Sequence, residues 1–392
     1  MKAKIEKGQQ YIMNTYGRFP LVLDKGEGMY VWDVEGKRYL DFVAGIATNS
    51  LGHGDVGLSR AVAEQAQNLI HCSNLYWTQP QVNYAEKLIE MSGFDKVFFC
   101  NSGAEAIEGS LKLIRKYGSE TKRYEIITMV NSFHGRTYGA VSATGQAKYQ
   151  QGFEPLLPGI SHVPFNDFDA LERAVTDKTA GIIIEPIQGE GGIVPAEKEA
   201  FLVKVRKLCD EKDILLVFDE IQCGIGRSGK MFAFEHYNVR PDICVLGKGI
   251  AGGVPMGAML ADAKVSTVLK PGEHASTFGG NPLATAAANV VIDRIASGLL
   301  DNVNKQAEYL TKSLEEMKSR HDIICDVRGV GLMQGIELTV PAAPIVQKCL
   351  ERGLLLVAAG ANVIRFVPAL IVEAKNIDEA MSILEEALSS KV

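Results

Sequence analysis

The stretches DILLVFDEIQ (213–222) and DICVLGKGIAGG (242–253) decide how this chain folds. Each opens with a short apolar run, 214–218 in the first and 243–246 in the second, and each then passes into polar or glycine-rich chain. Runs of that length and character suit strands buried on both faces of a parallel sheet. Working outward, similar runs stand at AGIIIEPI (180–187), YEIITMV (124–130) and KVFFC (96–100). Amphipathic segments of helical length separate them, clearest at 103–117, 168–176 and 197–212. This alternation predicts an α/β domain whose mostly parallel sheet is covered on both faces. Upstream, 58–70 and 81–92 have helical period, and 21–46 reads as an antiparallel meander broken at Lys25-Gly26 and Glu35-Gly36. Downstream, helices at 282–298 and 301–320, strands at 323–327, 330–338, 354–358 and 363–366, and a helix at 376–389 predict a smaller α+β unit. The expected division is an N-terminal segment (1–48) packing with the small unit, a large domain (49–285) and a small C-terminal domain (286–392).

Composition narrows the function. Of 392 residues, 46% are hydrophobic and 22% charged, which excludes wholesale disorder, and 39 Gly without a G-X-Y period exclude collagen. Lys and Arg number 41 against 47 Asp and Glu, and the resulting charge of −6 argues against a nucleic-acid partner. The seven cysteines show no CxxC or Cys/His ligand spacing, so reduced thiols in a cytoplasmic protein and no metal site are expected. The N-terminus lacks the apolar region of a signal peptide, and no apolar run reaches the ~18 residues of a membrane span.

In open α/β sheets a ligand binds outside the carboxyl ends of the strands. The tails there are NSGAEA (101–106), NSFHGRT (131–137), EPIQGEGG (185–192), DEIQCGIG (219–226) and GKGIAGG (247–253), and they are expected to converge on one crevice. GIGRSG (224–229) matches G-x-G-x-x-G, the basis for an alternative reading as a nucleotide-binding dehydrogenase. Against it, Asp219-Glu220 would repel a pyrophosphate, Met231 stands where a phosphate loop needs Ser or Thr, and no capable helix follows before Pro241. Ser102 and Glu105 form a capping box, a well-started helix on the plain reading. Its first amides, on Gly103 and Ala104, would also suit a phosphate, with Gly103 allowing close approach. An Asp such as Asp219 at a strand end is ordinarily a turn residue, and a lone Lys ordinarily a surface charge. Lys248, between Val-Leu-Gly and glycine-rich chain, instead faces the crevice, where desolvation makes its amine a nucleophile. A helix-start phosphate site, a strand-end Asp and a strand-end Lys together suggest pyridoxal phosphate, with Asp219 on the pyridine nitrogen, Lys248 as Schiff-base lysine and Phe133 stacking on the ring.

On these residues, with NTYGRFP (14–20), LVFDEIQCGIGRSGKMFAFE (216–235), STFGGNPLA (276–284) and VIRFVPALIV (363–372), the chain resembles the class III, ornithine-type pyridoxal-phosphate aminotransferases of fold type I. The resemblance spans essentially the whole chain and implies a mostly parallel seven-stranded sheet and a homodimer with active sites at its interface. It implies that Lys248 also shuttles the substrate proton and that Gln222 reaches the ring hydroxyl. Glu220 and Ile221, in the same segment, are placed at the cofactor, and Gly103 and Ala104 at its phosphate. Thr277 is supplied to the phosphate by the neighbouring subunit. Arg136 binds the substrate carboxylate, and Ser276 contacts the acylated donor. Glu190 masks Arg365 for the amino donor and releases it for the acceptor. The expected reaction passes an amino group from N2-acetyl-L-ornithine to 2-oxoglutarate. Ornithine, succinylornithine, succinyl-diaminopimelate and 4-aminobutyrate are alternative donors within the family. A cofactor-less relative is disfavoured because Lys248, Asp219 and Arg136 are all present. Two departures stand out: Ile107 where the family commonly has Asn, and Gly54-Asp55 where His-Pro is usual.

Overall fold

Seven strands form the central sheet of the computed structural model, which describes residues 1–197 and 200–390. Their order across the sheet is Lys96–Cys100, Gly257–Ala261, Ile243–Leu246, Leu215–Asp219, Thr179–Ile184, Glu125–Met129 and Ile160–Val163. The last five run parallel. Gly257–Ala261 is antiparallel to both of its neighbours. It and Ile160–Val163 are the two sheet strands that periodicity did not signal. One is a short small-residue run (GAMLA), and the other (ISHV) alternates only at the sheet edge. The run at 180–187 divides: the strand stops at Ile184, and beyond Pro186, which has no N–H for a ladder, Ile187–Gln188 pairs with Val194–Pro195.

Helices cover the sheet because their apolar stripes match its faces. Gly103–Gly118 buries Ile107, Leu111 and Ile114, and packs on the Gly257 and Ile243 strands. Ile107 is fully buried in that apolar layer, so the departure from Asn feeds the core. The helix expected at 197–212 is observed from Phe201 to Lys212, and positions 198 and 199 of that expectation lie outside the described residues. In the second departure, Asp55 caps the helix Val56–Asn68 by accepting from the Leu58 amide at 2.8 Å.

The meander forms from Leu23–Glu27, Tyr30–Asp33 and Arg38–Asp41. Its first turn falls at Gly28, and Lys25-Gly26 lies inside the first strand beside a register shift. Leu354–Leu355 pairs in parallel with Arg38–Asp41, tying this segment to the C-terminal part of the chain. A second, antiparallel sheet joins Ile324–Val330, Met333–Leu338, Val363–Phe366 and Val357–Ala359. The helices Pro282–Arg294 and Leu300–Lys318 follow one another across a kink at Ser297-Gly298, and together they include an apolar window of the length needed to cross a bilayer. Ala284, Ala287, Ala288, Val291 and Ile292 are buried in the main core, as in an interior helix of a globular protein.

Candidate active site

The strand-end tails meet at the carboxyl ends of the sheet. Leu215–Asp219 and Ile243–Leu246 are paired so that Asp219 lies opposite Val245, and the second strand runs on through extended Gly247 to Lys248. Lys248 has φ 44°, a left-handed conformation costly for a residue with a side chain and typical of strained functional positions. Among the described residues its amine makes no hydrogen bond or ion pair. Burial, reinforced by the nearby Arg365 guanidinium, lowers its pKa to about 8 despite Glu190, Asp219 and Glu185. Roughly a tenth of this amine is therefore neutral at pH 7, against well under a thousandth for an ordinary lysine.

Asp219 is buried, and its two oxygens are held separately. Oδ1 accepts from the Ile221 amide at 3.0 Å, and Oδ2 lies 2.7 Å from His134 Nδ1. Burial disfavours a charged His134, but the bond to Asp219 and the carboxylates of Asp219 and Glu185 outweigh it, and its pKa is raised. Buried Glu185 is pushed up chiefly by desolvation and accepts from the amides of Phe133 and Gly189.

At the start of the Gly103 helix, Ser102 Oγ accepts from the Glu105 amide. The amides of Gly103 and Ala104 form no hydrogen bond among the described residues, an anion cradle in the positive end of the helix dipole. The glycine also has a packing reason that the sequence did not show. A Cβ at Gly103 would stand 2.6 Å from Cδ1 of Ile221, so packing against Ile221 requires it. That contact also brings Ile221 beside the cradle.

Arg365 is 1% exposed, and its Nη1 donates to Glu190 Oε1 at 2.6 Å and to Gln222 Oε1 at 3.0 Å. Arg365 and Lys248 outweigh burial and hold Glu190 below the ordinary carboxylate range. Arg136 is exposed, with its guanidinium 4.0 Å from the Tyr149 ring centroid and 5.4 Å from that of Phe133. Ser276 Oγ accepts from Asn101 Nδ2 at 3.1 Å, joining its loop to the first strand's tail. Thr277, the next residue along the loop, is exposed. Glu220 is committed elsewhere: its carboxylate accepts from the amides of Ala233 and Phe234 at 2.7 Å, and burial raises its pKa to about 8. The glycine match at 224–229 forms a buried turn leading only to a one-turn 3₁₀ helix, Ala233–His236, so no helix N-terminus stands there for a nucleotide.

Sequence reasoning missed His134, Glu185 and Tyr149. His134 sits inside the quoted NSFHGRT tail, but its partner lies 85 positions away, and no periodicity marks that pairing. The donor set fits pyridoxal phosphate: an amide cradle for the phosphate, an anchored buried carboxylate for the pyridinium, and an unpaired amine of lowered pKa.

A strained, desolvated lysine beside an anchored aspartate and a helix-start cradle is the arrangement of fold type I aminotransferases. Residues 11–388 match the model of the family "Aminotransferase class-III", and the chain belongs to that pyridoxal-phosphate-dependent family. An acetylornithine aminotransferase from Caldanaerobacter subterraneus subsp. tengcongensis is 53% identical over 386 residues, 97% of this chain and 98% of that protein. Among solved structures, an ornithine aminotransferase from Toxoplasma gondii, described with partial occupancy of PLP at its active site, superposes with a TM-score of 0.94. It is 34% identical and covers 99% of this chain and 93% of its own. N-acetylornithine aminotransferase from Stenotrophomonas maltophilia gives a TM-score of 0.85 at 37% identity, covering 98% of each chain.

Proposed function

We propose that this enzyme transfers the terminal amino group of N2-acetyl-L-ornithine to 2-oxoglutarate, yielding N-acetyl-L-glutamate 5-semialdehyde and L-glutamate, a step of arginine biosynthesis. The observation that carries the reading is the Glu190–Arg365 pair set beside Lys248. The donor has one carboxylate and the acceptor two. A site that alternates between them needs one permanently available cation and one that can be covered. Arg136, free and stacked on aromatic rings, suits the first task, and Arg365 under Glu190 suits the second.

When bound, pyridoxal phosphate supplies an electron sink that allows the C–H bond beside the donor nitrogen to ionise. In this reading Lys248 Nζ takes that proton and returns it, its lowered pKa matching both directions near neutrality. Asp219, held by His134 and the Ile221 amide, keeps a negative charge where a pyridinium would sit. Phe133 would lie against the ring, the Gly103 and Ala104 amides would take the phosphate, and Ser276 would contact the acyl arm. Gln222, which accepts from Arg365, would reach the ring hydroxyl.

The division at 1–48, 49–285 and 286–392 accompanies this proposal, as does a cytoplasmic homodimer. The seven unpaired cysteines suit a reducing compartment. Leu75, Tyr76, Trp77 and Phe278 are 58–89% exposed, an apolar flank beside Thr277 that a second copy would cover. The competing donor is free ornithine, favoured by the likeness to the Toxoplasma structure. Purified protein should carry a visible band near ~410–430 nm from lysine-bound cofactor. A donor screen with 2-oxoglutarate as acceptor decides the rest: a higher kcat/KM for ornithine than for N2-acetyl-L-ornithine would reject the acylated substrate.

A further inference from the structure

Arg136 must hold its guanidinium over the crevice although it stands on an irregular stretch between Phe133 and the short helix Tyr138–Ala143. That helix has no side-chain cap from its own N-cap, Thr137. Its first amides are taken by Glu108 of the Gly103 helix. Glu108 Oε1 accepts from Thr137 Oγ1 at 2.6 Å, from the Gly139 amide at 2.9 Å and from the Ala140 amide at 3.1 Å. Gly139 lets the carboxylate this close, since a Cβ there would lie 2.4 Å from Glu108 Oε2. On the other side of Arg136, Gly135 lies flat on Ala104, where a Cβ would come within 2.8 Å of the Ala104 Cβ.

Ala104 and Glu108 are i and i+4, stacked on one face of a single helical turn. The residue before Arg136 and the residues after it are thus pinned to the same turn that presents the anion cradle. Glu108 forms no ion pair with Arg136, so it fixes the loop without occupying the guanidinium.

We infer that Glu108 is the positioning residue for Arg136, setting the distance between the substrate carboxylate and the cofactor phosphate through one shared acceptor oxygen. The inference rests on the carboxylate-binding reading of Arg136 given above. Because all three bonds end on Oε1, an amide oxygen can replace it, whereas a methyl group cannot. The negative charge itself is dispensable.

The test compares the holoenzyme with its Glu108→Ala, Glu108→Gln, Thr137→Val and Arg136→Ala variants, measuring kcat and KM for donor and acceptor and the thermal unfolding midpoint. Glu108→Ala should raise KM for both substrates about tenfold with kcat within about threefold, the pattern of lost uniform binding. Glu108→Gln should recover most of that loss. Thr137→Val, which removes a single donor and keeps the shape, should raise KM in the same direction by a smaller factor and serves if Glu108→Ala does not fold. Adding Glu108→Ala to Arg136→Ala should change KM no further, whereas a general packing role would add its own penalty. Unchanged KM in Glu108→Ala or Thr137→Val, with only the unfolding midpoint lowered, overturns the inference, as does a Glu108→Gln enzyme as impaired as Glu108→Ala. Unchanged KM in Arg136→Ala instead rejects the carboxylate-binding role, a failure of the underlying reading that is distinct from a failure of Glu108.

Discussion

The two ends of the central sheet each carry a buried aspartate held in nearly the same way. At the amino ends, Asp242 Oδ2 accepts from the Leu216 amide at 2.7 Å and from Arg206 Nη1 at 2.9 Å. At the carboxyl ends, Asp219 accepts from the Ile221 amide and pairs with His134. Burial is the largest single influence on the Arg206 guanidinium and lowers its pKa, but the Asp242 charge, its hydrogen bond and the neighbouring Cys209 and Asp210 together outweigh it, so the pKa is raised and the pair is held together. The Asp219 end is open by comparison. Among the described residues Lys248 has no bonded partner, Glu185 is pushed up and His134 raised, and the crowd of charges leaves several groups able to change state. The two ends differ because only the carboxyl ends receive the glycine-rich tails and the start of the Gly103 helix, where ligands bind in open α/β sheets.

The largest expected effect sits at the open end. Lys248→Ala should fold, its short side chain fitting a glycine-rich turn, yet lose at least about four orders of magnitude in turnover, ~5 kcal/mol of transition-state stabilisation. Near-native turnover in a steady-state assay would place the nucleophile elsewhere. Asp219→Asn should keep cofactor but lose about 10²–10³ in kcat, since removing a preorganised charge is worth about 3–4 kcal/mol. Normal kcat in that variant would make Asp219 a turn residue like its counterpart at the other end.

Separating the gate's two partners should give a smaller, directional effect. Arg365→Ala should slow the 2-oxoglutarate half-reaction and Glu190→Ala the donor half-reaction, each by ~2 kcal/mol, the lower range for breaking one side of a desolvated pair. Stopped-flow absorbance resolves the halves, and equal losses in both for Arg365→Ala would leave it a structural cation. The lowered Lys248 pKa has a signed consequence in cofactor-free protein. Only the neutral amine attacks, so modification of Lys248 by an amine reagent should rise as pH increases through about 8. A midpoint at the ordinary lysine value would contradict the desolvated site. The smallest effect belongs to the closed end: Asp242→Ala should leave kcat and KM within about twofold while costing roughly 1–3 kcal/mol of stability, because the Leu216 amide loses its buried acceptor. Denaturant titration beside a turnover assay checks both halves of that statement.

Legibility followed the range of the interaction concerned. Lys96–Cys100, Leu215–Asp219 and Ile243–Leu246 were readable because a buried parallel strand is written as a local apolar run, and the Gly103 helix because its capping box spans four residues. Gly257–Ala261 was not: nothing in GAMLA indicates that it inserts between the first strand and Ile243–Leu246 with reversed direction. Glu220 misled for a related reason. It directly follows Asp219, and side chains alternate at the strand end, so Glu220 turns to the opposite side and its carboxylate meets the Ala233 and Phe234 amides.

Taken alone, then, the chain's sequence determined the alternating α/β architecture and marked Asp219 and Lys248, at neighbouring strand ends, as candidates for its chemistry, since each is encoded in the spacing of neighbours. Only the tertiary structure decided what those residues touch. His134 meets Asp219 across 85 positions, and Glu185 accepts from the Phe133 amide across 52. Likewise, the need for glycine at 103 comes from Ile221, and the loop bearing Arg136 is held by Glu108. Such contacts depend on the order and direction in which the strands assemble, and that order is set by burial summed over the whole sheet, which no local pattern records.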